Sequence, residues 1–265
     1  KTFYENTYGT VGVVTCGEDN LPACTDETVK IVEVTPYRLE TTYSDNRHPD
    51  EVMWSKNIED DLKRRDFTCN AIAYNPMSGE IIDPFDGRED IKNKIIRAVG
   101  NPDVRFGEDS LRLMRAVRFM SQLDFDIEGV TREGIANNSD LLRNVSCERI
   151  RDEFCKLLMT DFPMRGIVLM KDLDILRFVV PELERGIGIM QNQAHRFDVW
   201  EHNLRTLQHA ADKKWPLHIR LSAVLHDISK PETRRYSKEK RDYTFYGHDV
   251  VGGRVSREIL ERLKF

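Results

Sequence analysis

Residues 64–71 concentrate groups that a protein core does not tolerate and that an ordinary surface does not collect. The run reads Arg-Arg-Asp-Phe-Thr-Cys-Asn-Ala, with two guanidiniums beside a carboxylate, a hydroxyl and an amide. Buried charges are costly without partners, whereas adjacent guanidiniums offer planar forks to phosphate oxygens. We therefore predict a loop that faces a nucleotide: the arginines contact phosphate, Asp66 or Asn70 contacts sugar hydroxyls, and Phe67 anchors the loop. A solvated run of surface charges is the alternative.

The overall charge excludes a uniformly basic nucleic-acid binder. The chain has 265 residues, enough for two or three units with a sizeable core between them. Its net charge is −5 and its pI about 5.9. Any contact with RNA must therefore come from local basic surface. Two segments qualify, residues 112–118 with three arginines and residues 234–241 with three arginines and two lysines.

The cysteines indicate a reducing compartment. There are five, an odd number, and no two have C-x-x-C spacing. Neither a disulfide framework nor a zinc knuckle is suggested, so we predict a cytoplasmic location. The sequence has no apolar run of about 18 residues and no signal peptide, and no membrane partner is expected. It begins with Lys-Thr-Phe, which we expect to be the middle of a domain.

Short β-branched stretches predict strands in the first third of the chain. Residues 10–15 and 30–38 are predicted strands, and Pro36 should end ladder pairing or place it at an edge. Alternation along the second strand puts Glu33 on the face opposite to its two neighbouring valines. A further short strand is expected at residues 81–82.

From about residue 88 the hydrophobic periodicity becomes helical. Apolar residues recur at three- and four-residue steps within residues 113–120, 150–158 and 217–225, which is typical of one buried helix face. Ser146 is placed as an N-cap for the second of these helices. The sequence thus predicts a small α/β unit followed by an all-helical portion.

Asp109 and Arg112 lie three residues apart in a helix that we expect to open at Gly107. Side chains at this spacing project together, so the pair can form an ordinary helical salt bridge. The alternative is that the pair serves as a protein template for a base. A carboxylate accepts a hydrogen bond from the exocyclic amine of cytosine or adenine. It repels the carbonyl oxygen that guanine and uracil carry at that edge, so such a pair would accept C and A.

Residues 64–71 and 108–112 resemble the R-R-D-F-T-x-N-A and E-D-x-x-R motifs of the class II tRNA nucleotidyltransferases and bacterial poly(A) polymerases. The resemblance covers essentially the whole chain. Shorter matches are residues 8–11 to H-G-T-V, 34–38 to V-T-T-[FY]-R apart from Pro36, 47–49 to the R-R-P of a flexible loop, and 83–87 to the D-P-F-x-G of a hinge. The flexible loop is associated with enzymes able to add the terminal A.

The resemblance implies an α+β fold. An N-terminal nucleotidyltransferase palm of the polymerase-β type, expected to be incomplete in this chain, would be followed by an all-helical neck and body with an HD-like helical unit. Residues 1–92 are assigned to the palm or head domain, residues 93–160 to the neck with the nucleotide-template helix, and residues 161–265 to the RNA-binding body.

The resemblance also implies which residues contact the nucleotide. In the family the aspartate and arginine of E-D-x-x-R select CTP and ATP, which assigns the base to Asp109 and Arg112. Arg65 is expected to bind phosphate and Asp66 the sugar. The predicted nucleotide-binding residues are Arg64, Arg65, Asp66, Asn70, Asp109, Arg112, Arg115 and Arg118. Three-residue steps turn the helix face by about 60° each. The last two arginines are therefore expected to reach phosphate or structure more than the base.

Nucleotidyl transfer needs divalent metal, expected to be two Mg²⁺ ions, to activate the attacking hydroxyl and neutralise the triphosphate. In the family a D-x-D or D-x-E pair upstream of the part matched here supplies the main ligands. The catalytic carboxylates are therefore unassigned, and these residues alone are not expected to catalyse addition. Glu33 is a candidate third carboxylate, with an ordinary solvent-facing residue as the alternative. Residues 124–126 have D-x-D spacing but are expected to form a structural turn.

Four residues are spaced like the first ligands of an HD phosphohydrolase: His202, His226, Asp227 and His248. Such a set could hold a divalent metal that activates water. Ser229 stands where that motif has glycine, whereas the following Lys-Pro agrees, and the later aspartate of the motif is not found. A helical unit that is structural or vestigial is the alternative.

Together the motifs predict a template-independent enzyme that adds CCA to tRNA 3′ ends from CTP and ATP and releases pyrophosphate. The helical C-terminal half would hold the tRNA acceptor arm through backbone contacts. A bacterial poly(A) polymerase is the nearest alternative. An HD-type phosphohydrolase and a non-catalytic RNA-binding fragment are alternatives of other classes. The sequence leaves open whether the protein forms a homodimer.

Overall fold

A computed structural model describes residues 2–4, 9–14, 31–40, 52–192 and 196–265 of the chain. The strands in these ranges are β1 Thr2–Tyr4, β2 Val11–Val14, β3 Ile31–Val34, β4 Arg38–Glu40, β5 Val52–Trp54, β6 Ala73–Tyr74, β7 Ile81–Ile82, β8 Ile95–Ile96, β9 Asp126–Ile127, β10 Arg235–Ser237 and β11 Asp242–Thr244. The helices are α1 Ile58–Lys63, α2 Gly87–Lys92, α3 Pro102–Glu108, α4 Leu111–Leu123, α5 Gly129–Asn138, α6 Cys147–Leu158, α7 Pro163–Asp172, α8 Val199–Asp212, α9 Leu217–Leu225, α10 Lys230–Thr233 and α11 His248–Arg262. Short 3₁₀ helices cover Thr68–Asn70, Ser139–Asn144, Leu176–Phe178 and Pro181–Gly186.

Antiparallel strands make up the first part of the chain. Strands β1, β2 and β3 form one sheet in that order, and Gly12 of β2 lies opposite Glu33 of β3. The predicted strands at residues 10–15 and 81–82 are confirmed as β2 and β7. The second predicted strand is split into β3 and β4, and Pro36 lies in the break. Proline lacks the N–H that a ladder needs, so the predicted end of pairing there is confirmed.

Helix α4 positions much of the site. The predicted face of this helix is buried: Leu113, Ala116 and Val117 are 0% exposed, and Met120 is 2% exposed. The helix ends at Asp124, whose φ of 55° lies in the left-handed region that aspartate tolerates better than most residues. Asp124 and Asp126 both pair with Arg165, in agreement with the structural turn expected there.

One continuous core joins the helices. Helix α4 packs against α6 and α7, and α8 packs against α7 and α9. The predicted apolar faces of α6 and α9 contribute to this core, which contains Phe67, Phe106 and Phe154. Ser146 precedes α6 as predicted, although its side chain makes no capping hydrogen bond. Because Phe67 belongs to the same core, the run at residues 64–71 is fixed relative to α4.

The turn at residues 83–87 requires glycine. Asp83 accepts hydrogen bonds from the backbone N–H groups of Gly87 at 2.7 Å and Arg88 at 2.9 Å. A Cβ atom on Gly87 would lie 2.2 Å from the backbone oxygen of Thr68. Thr68 also donates its hydroxyl to Asp90 at 2.7 Å. Helix α2 is therefore packed directly onto the 3₁₀ turn that follows Phe67.

The architecture confirms the α+β class. Antiparallel strands dominate before α2, and helices dominate after it. Two strand pairs lie within the helical part, the parallel pair β8–β9 and the hairpin β10–β11. None of the described helices is both long and apolar enough to cross a bilayer. The predicted domain boundaries after residues 92 and 160 remain predictions.

Candidate nucleotide-binding site

The loop at residues 64–71 is anchored by Phe67, as predicted. Its side chain is 0% exposed and meets Phe119 of α4 edge to face, with ring centroids 5.8 Å apart. Its backbone forms an isolated antiparallel bridge with Ala98. The aromatic ring thus fixes the loop from inside, and the polar residues on either side of Phe67 can turn toward the surface.

Asp66 is surrounded by donors. Arg115 donates to its Oδ2 from Nε at 2.8 Å, and the Nη2 atom of the same guanidinium lies 2.6 Å from that oxygen in an ion pair. Its Oδ1 accepts from Asn70 at 3.1 Å and from the N–H of Phe67 at 2.9 Å. Burial alone would raise the pKa of Asp66, but the charge of Arg115 and these hydrogen bonds bring the pKa below its ordinary value. Asp66 is therefore a charged and oriented carboxylate.

Asp61 holds both arginines of the loop. Arg64 donates to its Oδ1 from Nε at 3.0 Å and Nη2 at 2.6 Å, and Arg65 donates to its Oδ2 at 3.0 Å. Burial would raise the pKa of Asp61, but hydrogen bonds and charge from the two arginines lower it. Asp61 was not among the residues predicted for the site from sequence. Its contact with the arginines could have been predicted from its position three and four residues before them, since side chains at these spacings meet on a helix.

The expected helix opening at Gly107 is wrong. Helix α3 ends at Glu108, Asp109 is extended with φ −141° and ψ 103°, and α4 begins only at Leu111. Asp109 accepts a hydrogen bond from the N–H of Leu111 at 3.1 Å. Aspartate and serine favour such helix boundaries because their side chains compete for backbone donors. Asp109 and Arg112 are therefore not neighbours on one helix face.

The two residues of the predicted base template have separate partners. Arg149 of α6 donates to Asp109 at 3.1 Å to Oδ1 and 2.9 Å to Oδ2. Arg112 donates to Glu108 at 2.6 Å and to the backbone oxygens of Arg105 and Arg64, both at 3.0 Å. The ordinary Asp109–Arg112 salt bridge is not formed. Glu108 and Arg149 are further site residues that were not predicted from sequence.

These groups converge on one cavity of about 520 Å³. Its lining residues are Arg64, Arg65, Asp66, Asn70, Asp109, Leu111, Arg112, Arg115, Phe119 and Arg149. Five arginines face two aspartates, so the cavity carries an excess of positive charge. Its volume lies within the range of small-molecule sites. Seven of the eight predicted nucleotide-binding residues are brought together here, although their motifs lie more than 35 positions apart.

Arg118 is the predicted residue that does not line this cavity. It is 9% exposed, donates to Glu153 at 2.7 Å and to Gln122 at 2.8 Å, and lies 4.1 Å from the centroid of the Phe119 ring. Burial would raise the pKa of Glu153, but Lys156 and Arg118 bring the pKa below its ordinary value. Arg118 thus ties α4 to α6, and a nucleotide contact stays a prediction.

Glu33 lines a neighbouring cavity of about 500 Å³. The residues around it are Thr10, Glu33, Thr35, Tyr37, Arg38, Asp61, Arg64 and Arg65. Arg64 and Arg65 line both cavities. Glu33 is exposed on β3, so the alternative of an ordinary solvent-facing residue stays open. Its position beside the two arginines is also compatible with the predicted role near a triphosphate.

The four predicted HD-type ligands also come together. The Nε2 atoms of His202 and His226 are 3.2 Å apart, and they lie 3.4 and 3.2 Å from Oδ2 of Asp227. His248 is 3.7 Å from Oδ1 of the same carboxylate. Ligand atoms of the first three lie within 4.8 Å of one another. Two imidazole nitrogens and a carboxylate oxygen are ordinary ligands of a divalent metal.

Neighbouring groups orient this cluster. The Nδ1 atoms of His226 and His248 lie 2.9 and 2.7 Å from the backbone oxygens of Ala223 and Phe245, an arrangement that leaves Nε2 for a ligand. Lys230 lies 2.6 Å from Oδ2 of Asp227 and therefore competes with a metal for that oxygen. The buried Ser229 donates to the backbone oxygen of His248 at 2.6 Å, so the residue that departs from the motif is accommodated.

Two family comparisons agree with the geometry. Residues 4–97 match the family described as "Poly A polymerase head domain". Residues 124–187 match the family described as "Probable RNA and SrmB- binding site of polymerase A". The first match contains the run at residues 64–71, and the second contains α6 with Arg149.

Curated relatives carry the name "CCA-adding enzyme". The protein of Ligilactobacillus salivarius is 51% identical over 146 residues, which are 55% of this chain and 36% of that protein. The protein of Enterococcus faecalis is 48% identical over 159 residues, which are 60% of this chain and 39% of that protein. The matched part of the chain thus spans little more than a third of the length of these relatives.

Solved structures extend the similarity to the whole chain. The CCA-adding enzyme of Bacillus stearothermophilus, in complex with CTP, matches 100% of this chain and 64% of its own with a TM-score of 0.60 and 30% identity. The CCA-adding enzyme of Thermotoga maritima, complexed with tRNA-CCA, covers 99% of this chain and 51% of its own with a TM-score of 0.61. At 20% identity the second supports the fold alone. These comparisons confirm the resemblance to the class II tRNA nucleotidyltransferases and bacterial poly(A) polymerases that was predicted from the sequence motifs.

Proposed function

We propose that the chain selects the nucleotides in a template-independent RNA nucleotidyltransferase, which adds CCA to tRNA 3′ ends from CTP and ATP and releases pyrophosphate. The convergence of residues 64–70 with residues 109–115 and Arg149 on one arginine-rich cavity carries this proposal. The names of the relatives and the CTP bound to the Bacillus stearothermophilus enzyme favour the same function.

The arginines of the loop suit the triphosphate. Arg64 and Arg65 lie beside each other, and Asp61 orients both guanidiniums while leaving the Arg65 side chain 46% exposed. Planar guanidiniums bind phosphate oxygens through paired hydrogen bonds. Asp66 would bind the sugar, but its oxygens already accept three hydrogen bonds and form an ion pair with Arg115. A ribose hydroxyl would therefore replace one of the Arg115 donors, and that arginine would become free for phosphate.

Asp109 and Arg112 are assigned to the base. The Asp109 side chain is 21% exposed and is held by Arg149, so an oriented carboxylate faces the cavity. It can accept from the exocyclic amine of cytosine or adenine, and it repels the carbonyl oxygen of uracil or guanine. Glu108 holds Arg112 at 2.6 Å, and the guanidinium is 11% exposed. Two ion pairs thus hold the template in place of the single pair expected from sequence.

Nucleotidyltransferases of this family use divalent metal, and we propose Mg²⁺ as the ion. The carboxylates facing the two cavities do not form a site for a metal pair in the described part of the chain. Asp61 and Asp66 are held by arginines, and Glu33 stands apart from them on β3. These residues therefore do not fit the metal site on their own, and no step through the metal is derived from them. Glu33 stays the candidate for a third ligand.

Addition to tRNA tests the proposed activity. The natural full-length protein is incubated with Mg²⁺, CTP, ATP and a tRNA transcript that ends before CCA, and the products are sequenced. The expected products end in C-C-A and are not extended further. Unlimited tailing from ATP alone would assign the protein to the poly(A) polymerases. Binding of RNA with no nucleotide addition would favour the non-catalytic alternative. A cytoplasmic location remains a prediction from sequence, which leaves open whether the protein forms a homodimer.

The cluster of His202, His226 and Asp227 favours a second candidate function, a metal-dependent phosphohydrolase. The observation that supports it is that one potential ligand atom from each of the three side chains lies within 4.8 Å of the others. A bound divalent metal would supply an activated water. Titration with Co²⁺ and measurement of its visible absorption test the site. The expected result is stoichiometric binding that His226→Ala abolishes, followed by ring opening of cyclic nucleotides to monophosphates or by phosphate release from nucleoside monophosphates. Absence of both signals would leave the unit structural.

A further inference from the structure

We propose that the hairpin surface, residues 234–246 around β10 and β11, binds single-stranded RNA outside the nucleotide cavity. The proposal rests on the RNA-directed function proposed above and adds to it a contact area for the RNA. The two strands pair with Tyr236 opposite Tyr243, and residues 238–241 form the tip. None of the residues assigned to the nucleotide cavity belongs to this surface.

Positive charge is concentrated on the hairpin surface. It has five cations, Arg234, Arg235, Lys238, Lys240 and Arg241, and two carboxylates, Glu239 and Asp242. The whole chain, in contrast, carries a net charge of −5. In the described parts of the chain, none of the five cations forms a salt bridge. Arg235 instead donates to the backbone oxygens of Glu232 and Arg234, at 3.1 and 2.7 Å.

Three arginines elsewhere in the helical part of the chain differ from these cations. Arg97, Arg118 and Arg165 are each paired with carboxylates, so their charges are largely neutralised. The cations of the hairpin tip, Lys238, Lys240 and Arg241, are exposed. A local positive field on an acidic protein selects a polyanion. The phosphates of RNA are the polyanion that the proposed function supplies.

Aromatic rings lie between these cations. Tyr236 is 58% exposed and Tyr246 is 74% exposed. Tyr236 meets Tyr243 edge to face at 5.6 Å, and the guanidinium of Arg234 lies 3.5 Å from the centroid of the Tyr243 ring. Lys240 donates to the hydroxyl of Tyr246 at 2.8 Å. Rings held by neighbours, with open faces beside cations, are the surface on which unpaired bases stack.

At the hairpin tip a charged residue, Arg241, occupies a position whose backbone conformation favours other residue types. Arg241 has φ 49°, in the left-handed region where glycine or asparagine is favoured. An arginine there adds a third exposed cation to Lys238 and Lys240. A base-paired helix would offer phosphates to these cations but no free base face to Tyr236. The combination of open rings and cations therefore fits unpaired RNA better than duplex RNA.

Fluorescence anisotropy tests the proposal with the full chain and a labelled RNA of about 12 nucleotides, within the site sizes of single-strand binders. The triple variant K238Q/K240Q/R241Q is expected to bind at least tenfold more weakly. The slope of log affinity against log salt should fall by about two, because about 0.7 counterion is released per phosphate contact in single strands. Glu239→Gln, a change of the opposite charge in the same tip, should bind equally or more tightly.

The tyrosine variants separate stacking from charge. Tyr236→Ala is expected to weaken RNA binding by roughly tenfold, whereas Tyr236→Phe keeps the ring and the affinity. Unchanged RNA affinity in the triple variant would overturn the proposal. The proposal would also be overturned if the triple variant kept its RNA affinity but lost binding to vesicles of anionic lipid. Circular dichroism and urea unfolding check that each variant is folded.

Nucleotide binding distinguishes this proposal from the proposed function. CTP affinity should be unchanged in the triple variant, since the hairpin surface contributes no residue to the cavity. Conversely, Asp109→Ala should leave the affinity for the labelled RNA unchanged. Failure of the hairpin proposal therefore shows as unchanged RNA binding with intact CTP selection. Failure of the cavity assignment shows as absent CTP selection, whatever the hairpin variants do.

Discussion

Arg149 holds the carboxylate of Asp109 from a helix 40 positions away in the chain, with its Nη2 atom 3.1 and 2.9 Å from the two oxygens. The contact joins α6 to the short segment between α3 and α4. Both side chains line the arginine-rich cavity. Asp109 is thus oriented by a residue outside its own motif, so the base selectivity proposed for the cavity should depend on α6.

Replacing Arg149 by glutamine should reduce base selection. The Asp109 carboxylate would lose its charged partner and could rotate away from the base. We expect the ratio of CTP to UTP affinity to fall by about tenfold, since an oriented hydrogen-bonded contact to a base is worth roughly 1–3 kcal/mol. Equilibrium dialysis with labelled nucleotides measures the ratio.

Arg143→Gln is the matched control for this variant. Arg143 is an exposed arginine that pairs with Asp140 on the surface, with side-chain exposures of 67% and 64%. Such pairs contribute little. The control should retain the wild-type ratio. A normal ratio in a folded Arg149→Gln protein would show that Asp109 needs no orientation from α6.

The contacts of Arg118 with Glu153 and Gln122 favour a role in stability over the nucleotide contact that the family resemblance predicts. Arg118→Met leaves Glu153, 3% exposed, with Lys156 as its remaining ionic partner. Because Lys156 still neutralises Glu153, the expected loss in urea unfolding is that of a buried hydrogen bond to a charged group, about 1.5–3 kcal/mol. CTP affinity of the folded variant should change less than twofold.

Arg115→Met supplies the comparison because Arg115 lines the cavity. It should weaken CTP binding by about tenfold, the loss expected for a charged hydrogen bond of about 1.5 kcal/mol. Equal losses of CTP affinity in both variants would place Arg118 in contact with the nucleotide. That result would confirm the prediction from the family resemblance.

Acid should remove the stabilisation that Asp66 provides. The pKa of Asp66 lies below its ordinary value, so its contribution is complete above the unfolded pKa of about 3.9 and is lost as pH falls through the folded value. We expect Asp66→Asn to lower the free energy of unfolding by about 1–3 kcal/mol at neutral pH. The difference from wild type should shrink as the pH falls below about 5 in urea titrations.

Asp172→Asn is the control for the pH series, because Asp172 is an exposed aspartate paired with Lys171 at 3.3 Å. Its effect should stay within about 0.5 kcal/mol at each pH. A difference for Asp66→Asn that grows toward acid would mean that burial outweighs Arg115 and that the pKa is raised.

Gly87 should tolerate no side chain. A Cβ atom there would lie 2.2 Å from the backbone oxygen of Thr68, so α2 or the following 3₁₀ turn would have to move. We expect Gly87→Ala to lower the free energy of unfolding by at least about 1–3 kcal/mol, as overpacking does. Gly129→Ala, at a helical position with open space around it, should be neutral or slightly stabilising. Equal unfolding midpoints for the two variants would contradict this packing.

Local patterns predicted the elements that depend on one stretch of sequence. The apolar faces of α4 and α6 could be read from spacing because each helix buries residues at three- and four-residue steps. The anchoring role of Phe67 could be inferred because an aromatic side chain within a charged run is expected to be buried. Pro36 predicted a break in pairing because its missing N–H acts locally.

Features that depend on tertiary contacts were not predictable in this way. Spacing suggested that Asp109 and Arg112 share a helix, but the Asp-Ser boundary ends α3 and separates them. Arg149 lies 40 residues from its partner, and no local pattern pairs them. The contact of Lys230 with Asp227 likewise depends on how the loop after α9 is placed. The family resemblance suggested which residues meet, but not which partners hold them.

Equilibrium binding of the four ribonucleoside triphosphates to the wild-type chain and to Asp109→Ala tests the central claim most directly. The wild-type chain should bind CTP and ATP at least tenfold more tightly than UTP and GTP, the discrimination expected from one oriented contact. Asp109→Ala should bind all four within about threefold of one another, because the cavity arginines that we assign to the triphosphate remain. Equal affinities in the wild type, or undiminished selection of C and A in the variant, would contradict the assignment of the base to Asp109.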